Sequence, residues 1–251
     1  MIDPGRYGSR DEIRRVLAQH EESHWWFRAR RKVLSRLLER AVSQQQPLKS
    51  LDVGCSTGAS LSMLEALGSG VGVDLDLRIL QLCFQKGFRL LACSDVRKLP
   101  FKDNLFHLVT ALDLIEHMPD DQGALQEMYR VLMPGGLAVI SAPAFNWLWS
   151  SLDDAGHIRR YSAKNLRRVV EIAGFRIERI SYANTLLFPL LLIQRVWGKL
   201  RRPHPLDYLG VSRLDPLLGW IFGLEAKIIP YFSFCYGGSL ICLARKTSST
   251  I

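Results

Sequence analysis

Eight consecutive residues constrain this chain more than any other feature: Leu51-Asp52-Val53-Gly54-Cys55-Ser56-Thr57-Gly58, where an apolar run passes into a helical pattern. Glycines at such a junction let the backbone turn tightly and approach a ligand closely. The helix that follows begins with unpaired N–H groups. In open α/β sheets the crevice at the carboxyl ends of the strands is where ligands bind.

The remaining sequence keeps the same alternation. A strand ends at Asp52 and Val53, and a helix then carries Leu61, Leu64 and Leu67. Strands are predicted over 70–74, 88–92, 106–112, 137–141, 175–182 and 239–244. Helical periodicity appears at 79–86, around Leu125, Met128 and Leu132, and over 163–173, where Gly174 supplies a C-cap. Met133-Pro134-Gly135-Gly136 reads as a turn between helix and strand. Strands alternating with helices give an α/β fold with a mainly parallel sheet covered on both faces. A length of 251 residues suits one such domain with an insertion.

Two segments stand outside this rhythm. The first, 1–46, contains an amphipathic helix with Val33, Leu34, Leu37, Leu38 and Ala41 on one face, and 43–50 with Pro47 reads as a linker. The second, 183–236, is apolar with a basic centre at Lys199, Arg201 and Arg202. The expected division is therefore 1–46 as an N-terminal helical lid and 47–182 as the core. An apolar and basic insertion follows at 183–236, and 237–251 supplies the last core strand and tail.

The formal net charge of +9 favours anionic partners. Five scattered cysteines with no C-x-x-C argue against both a disulfide framework and a zinc site, so no metal is expected. The first thirty residues are too polar for a secretory leader. No stretch approaches the roughly 18 apolar residues of a membrane span. A cytoplasmic protein, with a peripheral place on a membrane surface as the open alternative, is the expectation.

Dinucleotide-binding turns need glycines at the first, third and sixth positions. Counted from Gly54, the third is Ser56 and the sixth Ala59, so that pattern fails and a nicotinamide oxidoreductase is disfavoured. An acid two residues before Gly54, with Gly58 four after it, instead resembles motif I of class I S-adenosylmethionine-dependent methyltransferases. Other motifs follow in that family's order: Gly72-Val73-Asp74, Ser94-Asp95-Val96, Leu99-Pro100-Phe101, Phe106-His107-Leu108-Val109, Leu114-Ile115-Glu116-His117, and Leu132-Met133-Pro134-Gly135-Gly136. The similarity is nearest to the ubiquinone/menaquinone-type small-molecule enzymes. It implies a doubly wound, seven-stranded Rossmann-like sheet with an antiparallel last strand, and S-adenosylmethionine as cofactor.

Carried over by that resemblance, Asp52, Gly54, Cys55, Ser56 and Gly58 would border the methionine moiety. Asp74 and Leu75 would hold the ribose, Asp95 and Val96 the adenine, and Asp113 the edge of the transfer cleft. Ser56 stands where the family usually has glycine; with a Cβ it is expected to keep a negative φ. The sulfonium makes the methyl electrophilic, so the protein mainly aligns donor and acceptor.

Candidate acid–base residues are His157, His117 and Tyr161, histidine being the usual base near neutral pH. For His157 and His117 a structural role is the competing reading. Arg159, Arg160 and Tyr161 suit an anionic acceptor, or else form a solvated surface run. Trp25, Trp26 and Arg28 resemble a substrate lid, against ordinary aromatic packing. Apolar residues beside bases in the insertion suit a membrane surface, a pocket cap or a dimer contact, and an apolar or lipid-linked acceptor fits the first two. A nucleic-acid-binding protein and a non-catalytic cofactor scaffold are the alternatives. The chain lacks a zinc finger, an RNA-binding aromatic signature and the Asn/Asp-Pro-Pro-Tyr/Phe motif of amino-group DNA methyltransferases.

Overall fold

Val, Ile and Leu fall on both faces of successive short strands, and only a sheet covered on both sides buries them all. The structure is a computed structural model that describes residues 20–42, 47–154, 156–201 and 213–247, with backbone alone at 152 and 198–201. Lys199 and Arg201, expected to carry the insertion's charge, therefore have no described side chains, and Arg202 lies outside the described residues.

The chain runs α1 (Trp25–Ala41), β1 (Leu48–Val53), α2 (Leu61–Glu65), β2 (Gly68–Asp74), α3 (Leu77–Gln85) and β3 (Leu91–Cys93). It continues through β4 (Phe106–Leu112), α4 (Asp121–Val131), β5 (Leu132–Pro143), the short α5 (Ser151–Asp154), α6 (Ala163–Ile172) and β6 (Phe175–Ala183). Two helices of the insertion, α7 (Phe188–Arg201) and α8 (Asp215–Ile228), precede β7 (Ser239–Lys246). The strands form one seven-stranded sheet in the order β3-β2-β1-β4-β5-β7-β6. β7 is antiparallel to both of its neighbours, while β1 to β5 pair in parallel. The expected fold, including the reversed last strand, is the observed one. The order turns back between β1 and β4, which opens a crevice at their carboxyl ends.

Some boundaries differ from the sequence reading. Residues 48–50 belong to β1 and not to a linker. The pattern of Leu61, Leu64 and Leu67 does not run through as one helix: α2 ends at Glu65, Leu67 N–H folds back to Leu64 O, and β2 begins at Gly68. The third strand sits at 91–93, later than expected. Met133-Pro134-Gly135-Gly136 does not interrupt the strand but bulges within β5, since Phe106 pairs with Leu132 and Leu108 with Leu137. Gly135 absorbs the kink at φ +77°, as bulges commonly require.

One sheet face packs Val109, Ala111, Ala138 and Ile140 against Leu125 and Met128 of α4 and Leu166 and Val170 of α6. The other packs Leu108, Leu137, Val139, Ile241 and Leu243 against Val33, Leu34, Leu37 and Leu38 of α1 and Phe222 and Ala226 of α8. The insertion therefore contributes a core layer. Buried Glu225 of α8 accepts from the N–H groups of Asn184, Thr185 and Leu186, which fixes the entry to α7. Among the described residues no helix is long and apolar enough to cross a membrane.

Candidate active site

The crevice is built by loops that leave the sheet abruptly. After Val53, the N–H groups of Gly54 and Cys55 both donate to Val73 O, at 2.8 and 2.9 Å, so β1 splays from its neighbour. Gly54, Ser56 and Gly58 take φ of +71°, +48° and +85°. The expectation of a negative φ at Ser56 is therefore wrong. Its left-handed conformation is held because its N–H donates to Asp74 Oδ2 at 3.2 Å and its carbonyl accepts from Cys83 Sγ at 3.0 Å. These bonds offset the steric cost of a Cβ in that region. Gly54 has no such latitude: a Cβ would stand 2.7 Å from Leu114 Cδ1, across the crevice mouth.

Asp52 lies beneath this loop, 1% exposed. Thr110 and Ser60 hydroxyls donate to its two oxygens, at 2.6 and 2.5 Å. Burial still dominates and pushes its carboxyl up to about 6. Asp52 thus braces the loop from below. Cys55 is buried as well, whereas Ser56 and Asp74 remain partly open. Asp74 Oδ1 accepts from Asp76 N–H at 3.0 Å, so each oxygen holds one backbone bond. An ionised carboxylate has about four acceptor positions, which leaves Asp74 acceptor capacity for hydroxyl donors. Leu75 beside it is strongly exposed.

On the next tip, Asp95 caps the short helical turn Val96–Lys98 through Arg97 N–H. Its carboxylate also takes the Arg97 guanidinium, and that partner holds the acid below the usual carboxylate range. Val96 is packed into the core. Past β4, Asp113 adopts φ +53°. Ser141 Oγ donates to its Oδ1 at 2.9 Å, and Arg30 of α1 forms a close ion pair with Oδ2. Arg30 is itself buried under Trp26, whose ring centroid lies 4.7 Å from the guanidinium carbon. Thr57 donates to Glu21, and Lys86 pairs with Glu22. The segment leading into α1 is therefore tied to the crevice loops at two points, Glu21 and Glu22, and α1 itself at a third, Arg30.

Of the expected lid residues, Trp25 packs beside Gly219 of α8, Trp26 stacks on Arg30, and Arg28 is exposed. The sequence reading assigned no role to Arg30, although it sits beside the tryptophans. A buried arginine is indistinguishable from a surface one in a basic helix.

A second polar cluster lies beyond β4. His157 Nδ1 is 2.7 Å from Asp153 Oδ1, and Asp153 also accepts from Arg160 Nε at 2.7 Å and from Ser150. Hydrogen bonding from His157 together with the Arg160 charge holds Asp153 well below the carboxylate range despite burial. Its anion therefore fixes the proton on His157 Nδ1 and leaves Nε2 as the lone-pair nitrogen. That Nε2 faces Glu116 Oε1 at 3.8 Å. The His117 ring packs edgewise on His157 with centroids 4.7 Å apart, its Nδ1 3.0 Å from Gly156 O.

Tyr161 donates to Asp121 Oδ2 at 2.6 Å, and burial pushes its hydroxyl above the ordinary phenol range, so it stays protonated near neutral pH. Arg159 binds the same carboxylate and Pro119 O. Arg160 is buried and spends its guanidinium on Asp153 and Ala144 O. These two arginines are therefore not the solvated run that was one of the two sequence readings. Asp121, the partner of Arg159, was missed because it lies far away in sequence, whereas the pairing of Asp153 with His157 and Arg160 stays within one loop and fits the structural reading of that loop.

Residues 51–140 match the family described as methyltransferase domain. The demethylmenaquinone methyltransferase of Staphylococcus epidermidis is 33% identical over 137 residues, covering 51% of this chain and 53% of the relative. A malonyl-[acyl-carrier protein] O-methyltransferase from Marinomonas sp. is 30% identical over 146 residues, covering 53% and 54%. The chain thus spans about half the length of the curated relatives it matches. Among solved structures, the putative methyltransferase complexed with the Haloferax volcanii Trm112 activator superposes with a TM-score of 0.63 at 19% identity, covering 97% of this chain and all of that one. That likeness is one of fold.

Proposed function

We infer the activity of this protein from one premise: residues 51–140 are a methyltransferase domain. The chain transfers a methyl group from S-adenosylmethionine to a small-molecule acceptor. The observation that carries this reading is the set of partly open acidic tips on the consecutive strands β2, β3 and β4, at Asp74, Asp95 and Asp113, beside the glycine turn after β1. Acid side chains suit a ligand that bears a sulfonium, an ammonium and two ribose hydroxyls.

When bound, S-adenosylmethionine supplies an electrophilic methyl, and the protein's own part is alignment and exclusion of water. Asp74 offers acceptors to vicinal hydroxyls, and the loop from Gly54 to Gly58 gives close backbone approach. α1 and the segment leading into it are pinned to the crevice loops through Arg30, Thr57 and Lys86. Asp153, gripped by Arg160, holds the His157 ring in place beyond the β4 tip.

An apolar or lipid-linked acceptor fits the surroundings. At the tip of β5, Phe145 stacks on Tyr182 and Trp147, and Trp147 meets Phe188 of α7. Beyond that cluster α7 and α8 expose Trp197, Leu217 and Trp220, the last 63% open. Such a surface suits a greasy substrate or the membrane interface that holds it.

Labelled S-adenosylmethionine incubated with fractionated lipids and metabolites tests the acceptor: label in the lipid fraction supports it, and label only in water-soluble material overturns the apolar class. Asp74→Ala should weaken cofactor binding by about 10- to 150-fold, the equivalent of ~1.5–3 kcal/mol for hydrogen bonds to a charged group. Calorimetry that shows wild-type affinity would remove Asp74 from the site.

A further inference from the structure

Glu116 has a problem that its neighbours do not solve. It is 0% exposed, and neither carboxylate oxygen has a hydrogen-bond partner. A buried carboxylate costs several kcal/mol unless it is paired. The two guanidiniums that act on it are already committed, Arg30 to Asp113 and Arg160 to Asp153.

The geometry points to a divalent metal site: we propose that Glu116, His117 and His157 together bind Zn2+ or a similar borderline transition-metal ion. One ligand atom from each lies within 4.8 Å of the other two. Around an ion with bonds of about 2.0–2.1 Å, tetrahedral ligands stand about 3.4 Å apart. Side-chain torsions close that difference.

The supporting contacts are those of a metal centre. His157 Nδ1 meets Asp153 at 2.7 Å, and Asp153 is in turn gripped by Arg160. His117 Nδ1 lies 3.0 Å from Gly156 O, which can only accept. Both rings therefore carry the proton on Nδ1 and direct coordination to Nε2. Metal-bound histidines characteristically use their second nitrogen in this way. Two imidazoles and one carboxylate favour zinc and its neighbours over Mg2+ or Ca2+, which prefer oxygen alone.

Three protein ligands leave a fourth position open, the pattern of catalytic sites. Glu116 follows the β4 tip, three residues after Asp113. There the ion would bind an acceptor oxygen and lower its pKa. That role rests on the methyl-transfer reading; binding of the ion does not.

The test strips the full chain with chelator, then titrates Zn2+ by calorimetry and Co2+ by visible absorption. One equivalent is expected, with Co2+ giving tetrahedral d–d bands. Glu116→Gln and His157→Ala should each weaken binding at least 100-fold. Asp153→Asn should weaken it 10- to 100-fold. Circular dichroism identifies any variant that fails to fold, and Cys93→Ser with Cys235→Ser should retain the equivalent. Absence of stoichiometric binding, or wild-type affinity in Glu116→Gln and His157→Ala, overturns the site and leaves a buried proton as what Glu116 holds. S-adenosylmethionine binding to the stripped protein, measured separately, distinguishes failure of this site from failure of the methyl-transfer reading.

Discussion

Ser56 carries the least comfortable backbone in the glycine loop, at φ +48°. A non-glycine residue in that region costs about 1–2 kcal/mol. Ser56→Gly removes the steric cost but frees the unfolded chain. A net gain of about 0.5–1 kcal/mol is expected, raising Tm by about 1–4 °C for a chain of this size; an unchanged or lower Tm would mean that the hydroxyl is structurally needed. Asp52 makes a pH prediction. Burial raises its folded-state carboxyl to about 6, against about 3.9 unfolded. The folded state thus holds the proton longer, so this group's contribution is greatest below the unfolded value and is lost as pH rises towards 6. The loss is on the order of 3 kcal/mol. Asp52→Asn should flatten the stability curve between pH 4 and 6 in urea titrations, and an unaltered slope would refute the assignment. The position of Asp52 was legible in its motif. Its burial was not, because Thr110 approaches from another strand.

At the level of elements, Glu225 links α8 to the entry of α7 through three backbone N–H groups, and burial raises its carboxyl. Glu225→Ala would strand those donors away from water, each costing about 1–3 kcal/mol. We expect a loss of at least ~3 kcal/mol by urea denaturation, together with faster amide exchange at Asn184, Thr185 and Leu186. Exchange left at wild-type rates would show that the cap is dispensable. The periodicity of α1 correctly marked its buried face, since Val33, Leu34, Leu37 and Leu38 all pack on the sheet. The insertion was harder to read. α8 is apolar nearly all round, and only its contact with α1 and β7 settles that Phe222 and Ala226 face inward while Trp220 faces out.

For the whole molecule, a ligand that spans the tips of β1 to β4 stabilises every element that shapes the crevice. S-adenosylmethionine at a hundred times its Kd should add about 2.7 kcal/mol. At this chain length that raises Tm by about 5–11 °C; no shift at saturating cofactor would contradict the proposed function. The alternation of strands and helices and the glycine turn were legible in the sequence alone, because period, propensity and steric freedom act over a few neighbouring residues; the reversed last strand came from the family resemblance, and the order of strands across the sheet from the structure. The pairing of Arg30 with Asp113, of Asp121 with Arg159 and Tyr161, and the approach of His117 to His157 were decided only by tertiary structure. Desolvation and ion pairing depend on what chain closure brings within a few ångströms, and residues 30 and 113 or 117 and 157 carry no local mark of meeting.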